Sequence, residues 1–127
     1  MLKSIELTGI WRQEIPEREG ELGKTDFVLI EQRGDQLTGS IRRLLPESER
    51  FKRWDFEAKI RKRLVFGTFW PHDENKNPKS HGALCLNLIS DTLLDGFLVE
   101  ILCADGGEEY RWTAQVKNMA RWIKNQG

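Results

Sequence analysis

Apolar and polar side chains alternate with a period of two almost from one end of the chain to the other, and helical spacing is nearly absent, so the pattern predicts strands. The alternation is cleanest between positions 53 and 61. There Trp54, Phe56, Ala58 and Ile60 point one way, and Asp55, Glu57, Lys59 and Arg61 the other. One face is core and the other wet, as in an antiparallel sheet. Eight such stretches are predicted, at about 5–14, 25–32, 36–44, 53–61, 63–71, 82–89, 93–102 and 110–116.

Turn chemistry orders these stretches. Arg33-Gly34-Asp35-Gln36 reads as a tight hairpin turn, and Ser90-Asp91-Thr92 and the Gly-rich 104–108 close two more. The join at Lys62-Arg63 has neither Gly nor Asn. Polar loops are expected at 46–52 and 72–80. Each strand follows its predecessor through a short connection. The expected fold is therefore all-β, an antiparallel up-and-down (meander) barrel of about eight strands, because closure removes both exposed edges. A barrel of that size holds packed side chains or one small ligand. A two-sheet sandwich with Greek-key crossings satisfies the same alternation. Gly9, Gly39, Gly67 and Gly96 fall inside strands and mark bends or close backbone approach. The tail from Val116 to Gly127 can turn into a short C-terminal helix, since Val116, Met119, Ala120 and Ile123 fit a 3, 4 spacing. At 127 residues the chain reads as one barrel domain, 1–127, large enough to bury a core without staples.

Charge changes this picture locally. The net charge is zero, from 20 basic and 20 acidic residues, which gives no whole-molecule attraction to DNA, RNA or an anionic membrane. Yet nine of the basic residues, from Arg42 to Arg63, fall in one block. Most suit a solvated outer face. Arg43 does not, because it shares parity with Leu37, Gly39 and Ile41 and should point inward. A buried arginine needs an anionic partner, either a nearby carboxylate or a phosphate or carboxylate on a ligand. Arg50 and Arg53 flank the same end.

Trp54 starts one strand and Trp70 ends the next, so the two are expected near one rim, where they could form an aromatic ledge. Arg43, Arg53, Trp54 and Trp70 are therefore the candidate ligand-binding residues. Nothing comparable points to catalysis. His72 and His81 flank a polar loop without metal-ligand spacing apart from the His72-Asp73-Glu74 run, which reads as solvated loop, and GxSxG, HExxH and Gly-rich phosphate loops are absent from the sequence. The expectation is a non-enzyme without metal or cofactor. Cys85 and Cys103 sit in apolar runs and read as small buried thiols of a cytoplasmic protein. The most apolar stretch, 83–104, is interrupted by Asn87, Asp91, Asp95 and Glu100, so no membrane insertion by this chain is expected.

Leu7-Thr8-Gly9-Ile10-Trp11, Leu37-Thr38-Gly39, Phe66-Gly67-Thr68-Phe69, Gly82-Ala83-Leu84-Cys85-Leu86 and Leu94-Asp95-Gly96-Phe97 follow one another along the chain. This succession resembles the small lipocalin- and streptavidin-like barrels. More narrowly, it is similar to the β-barrel sensor domain of two-transmembrane effectors in bacterial CBASS-type anti-phage signalling. That resemblance implies a cytoplasmic barrel that binds a cyclic di- or oligonucleotide, an anionic second messenger. It carries no ligand-contact residues onto this chain, which lacks the transmembrane segments. Two other functions fit the sequence: a lipocalin-like binder of an apolar ligand, and a protein-interaction or self-association module, a homo-oligomer included, with no small ligand.

Overall fold

The computed structural model describes residues 5–15, 25–45, 50–72, 81–103 and 112–125. It contains eight strands: β1 Gly9–Glu14, β2 Thr25–Arg33, β3 Gln36–Leu45, β4 Arg50–Arg61, β5 Leu64–Pro71, β6 His81–Ser90, β7 Leu93–Cys103 and β8 Trp112–Lys124. Every strand pairs antiparallel with the next, and β1 pairs with β8, so the sheet is a closed up-and-down barrel. The Greek-key sandwich is thereby set aside.

The tail corrects the sequence reading, because residues 116–124 continue β8 rather than forming a helix. The apolar residues at 3, 4 spacing divide between the faces. Ala120 and Trp122 are buried inside, while Met119 is exposed. Trp122 is fully buried and Trp11 likewise. Without this strand β1 would leave a row of backbone donors and acceptors unpaired, so closure outweighs the weak helical signal.

The two ends of the barrel differ. The β2–β3, β4–β5 and β6–β7 connections are two-residue turns at Gly34-Asp35, Lys62-Arg63 and Asp91-Thr92. The carbonyls of Asp35, Arg63 and Thr92 accept hydrogen bonds from the amides of Ile60, Leu88 and Lys124 on the following strand, at 2.8, 2.8 and 2.9 Å. Leu7, fully buried just before β1, fills the interior at this end. Its amide is held by Gln32 Oε1 at 2.7 Å. The four longer connections all leave from the opposite end, hereafter the mouth.

Two of the tight turns adopt the same backbone at their first residue, with φ 62° at Gly34 and 57° at Lys62. Glycine takes this left-handed conformation freely, and a side chain makes it costly. Lys62→Gly should therefore raise stability by about 0.5–1 kcal/mol. The check is the urea midpoint at constant m. An unchanged or lower midpoint would show that the lysine side chain's contacts outweigh the backbone cost.

The core fills the tight-turn half. Trp11, Phe56, Leu37, Val65, Leu86, Leu88, Leu94 and Trp122 are all at most 1 % exposed. The Phe56 and Trp122 rings meet with centroids 5.4 Å apart. A lipocalin-like reading calls for a roomy apolar interior, and these side chains occupy that half instead. Small residues set the barrel's tight coiling. A Cβ at inward-facing Gly67 would lie 1.9 Å from the Glu57 carbonyl oxygen and 2.6 Å from Ala58 Cα.

Candidate functional site

The inward polar side chains collect in the mouth half. Antiparallel pairing sets Asp26 of β2 directly opposite Arg43 of β3. Arg43 donates to Asp26 through Nε at 2.7 Å and Nη2 at 3.0 Å. Both side chains are largely buried, at 14 % and 9 % exposure. Gln13 of β1 donates from Nε2 to Asp26 Oδ2 at 2.9 Å. The same amide accepts from Trp122 Nε1 at 2.8 Å. On the other side the Arg43 guanidinium lies 5.5 Å from the centroid of the Trp54 ring. One continuous network thus runs Trp122–Gln13–Asp26–Arg43–Trp54 across five strands. A bidentate, charge-assisted pair of this kind is what makes a buried arginine tolerable. It also means that Arg43 has its anion within the chain.

Above the network a cavity of about 60 Å³ opens toward the mouth. It is lined by Gln13, Ile15, Ile41, Arg43, Trp54, Phe69, Leu98, Glu100 and Asn118. Its walls combine aromatic and aliphatic faces with a few polar groups, the usual make-up of a small-molecule site.

The structure separates the four residues singled out from sequence. Arg43 and Trp54 line this cavity. Arg53 and Trp70 lie at the same end of the barrel but on its outer wall. Asp55 is paired with Trp70, whereas Trp54 is paired with Pro71. Trp54 and Trp70 therefore stand on opposite faces of the sheet and form no common ledge; Phe69 is the aromatic that β5 turns inward. The pleat alone decides this, since neighbouring residues on a strand alternate faces.

Outside, Arg53 Nε donates to Asp55 Oδ1 at 2.9 Å, and His72 Nδ1 lies 2.8 Å from Asp55 Oδ2. Partial burial alone would raise the Asp55 pKa. The hydrogen bonds from His72 and Arg53 outweigh it and hold the carboxyl below its usual value. Arg53 also borders a shallow outer groove, beside Arg42, Ser40 and Thr8.

Cys85, expected to be buried, is a free thiol only partly covered on the outer wall. The side chain of Cys103 is outside the described residues. Among the described residues no three His, Cys, Asp or Glu side chains cluster as metal ligands. No described helix is long and apolar enough to cross a membrane.

Gln13, Asp26, Phe69, Glu100 and Asn118 were not among the sequence candidates. A signal for Asp26 was present. A two-residue turn at 34–35 puts residues whose numbers sum to 69 opposite one another, which pairs Asp26 with Arg43. The same arithmetic at Lys62-Arg63 places Trp70 against Asp55.

No protein-family model matches the chain, and no curated protein matches it. Among solved structures it is similar to that of EF1p2_mFAP2b bound to DFHBI, with 9 % identity over 94 % of each chain and a TM-score of 0.63. At that identity the likeness is one of fold, and it agrees with the closed antiparallel barrel described above. The fold is compatible with ligand binding.

Proposed function

We propose that the chain is a small-molecule binding module, not an enzyme, and that it takes its ligand at the mouth of the barrel. One observation carries the reading. Among the described residues the interior is filled and apolar at the tight-turn end, while polar and aromatic side chains line a cavity at the other. The network beneath the cavity is satisfied without a ligand, so the walls are held in place beforehand, which lowers the cost of binding. The barrel of EF1p2_mFAP2b, in complex with DFHBI, supports the reading by analogy of fold.

The finer reading, a cyclic di- or oligonucleotide bound in anti-phage signalling, draws support from the basic side chains around the same end: Arg42 and Arg53 outside and Arg43 inside. Its phosphates would compete with Asp26 for Arg43, a cost that an uncharged ligand does not meet.

Thermal unfolding against cyclic di- and trinucleotides, nucleoside phosphates, fatty acids and neutral aromatics tests both readings. A ligand at about a hundred times its Kd adds about 2.7 kcal/mol, or roughly 10 °C for a domain of this size. The shift should disappear in Trp54→Ala and survive in Trp70→Ala, whose ring lies outside the cavity. A shift confined to one cyclic nucleotide would assign the second-messenger role. Cooperative melting with no shift from any compound would refute the small-ligand reading and favour an interaction module.

A further inference from the structure

Two polar side chains lining the cavity take no part in the network. Glu100 of β7 and Asn118 of β8 both face it. Asn118 is paired with Leu98, two residues from Glu100, so the two side chains are diagonal neighbours on the inner face. Among the described residues, neither side chain makes a hydrogen bond or ion pair. On the other flank of β7, Glu100 is paired with Gly82 of β6, which contributes no side chain. Phe69 uses that space, its Cζ lying 2.3 Å from where a Gly82 Cβ would be. An aromatic ring therefore stands beside the carboxylate.

The charge balance of the described walls follows. Asp26 and Arg43 neutralise each other across their bidentate contact, which leaves the Glu100 carboxylate as the net charge. We propose that the mouth cavity seats the ammonium or amidinium headgroup of a small organic cation. Glu100 is its counter-ion, the Asn118 side-chain carbonyl a second acceptor, and Phe69 and Trp54 the ring walls. A cation in such a setting gains from both the carboxylate and the aromatic faces. The volume of about 60 Å³ fits a headgroup of a few heavy atoms. A carboxylate or phosphate in the same place would meet Glu100 head-on. The inference rests on the mouth being the binding site, adds the charge of what enters it, and stands against a cyclic nucleotide there.

Benzylammonium, benzyl alcohol and benzoate share one ring and differ in charge, so titrating the wild-type protein with each at pH 7 by calorimetry separates the outcomes. Benzylammonium should bind about tenfold or more tightly than benzoate, the low end of what a charge-assisted hydrogen bond supplies. In Glu100→Gln the preference should fall to about twofold or less. Benzoate binding as tightly as benzylammonium, benzyl alcohol binding as tightly as benzylammonium, or a preference that survives Glu100→Gln would each overturn the cation assignment while leaving the mouth site standing. If none of the three binds and the wider ligand panel is also silent, both readings fall together. Should Glu100→Gln fail to melt cooperatively, the comparison among the three probes on wild-type protein still decides.

Discussion

Asp26→Ala is expected to destabilise the barrel by about 3–5 kcal/mol, because it removes the carboxylate that pairs with the largely buried Arg43 guanidinium. The carboxylate accepts three hydrogen bonds there, two from Arg43 and one from Gln13. Removing it breaks the pair and takes the acceptor of these three hydrogen bonds from largely buried donors. Arg43→Met should also destabilise, by leaving the Asp26 carboxylate buried without its cation. The double variant Asp26→Ala/Arg43→Met should be clearly less damaged than the sum of the singles, since each single already breaks the pair and the second substitution has none left to break. Urea unfolding of the four proteins measures the difference, with an expected coupling of about 2–3 kcal/mol. A coupling near zero would mean that the pair contributes no more than an exposed ion pair.

Gly67→Ala should be comparably damaging, at about 3 kcal/mol or more, for a different reason. The added methyl would sit 1.9 Å from the Glu57 carbonyl oxygen and 2.6 Å from Ala58 Cα. Both are backbone atoms of the neighbouring strand, so no rotamer change relieves the contact, and β4 and β5 must move apart. Outward-facing Thr68→Ala, one residue along the same strand, should change stability by about 0.5 kcal/mol or less. A Gly67→Ala protein as stable as wild type would show that the two strands separate there at little cost.

The fold was legible because its signals are local. Trp54, Phe56, Ala58 and Ile60 announced the inner face of β4, and the Gly34-Asp35 turn fixed the first tight hairpin. The tail misled because Val116, Met119, Ala120 and Ile123 fit a helix by spacing. The demand that overruled them, a partner for β1, comes from the far end of the chain. Arg43 was correctly read as inward by parity, and its need for an anion was clear. The identity of that anion required strand register as well as strand existence. Trp70 shows the converse: its position along the strand was right, but one step of the pleat puts it outside. Gln13 meets Trp122 across 109 residues of sequence, and no local pattern carries such a pairing. Glu100 looked like an interruption of an apolar run; only barrel closure shows that it faces the interior.

The seam between β1 and β8 has a consequence for how the chain spends its conformational entropy. All other strand pairings join sequence neighbours, three of them through two-residue turns. Closing the seam joins residues more than a hundred positions apart, and lengthening a closed loop from ~10 to ~110 residues adds only about 2 kcal/mol of entropy cost. The seam offsets this by burying Trp122 completely and tying its indole to Gln13. The side chain that seals the barrel is thus the one that fastens the floor of the mouth, so loosening the seam loosens the pocket with it.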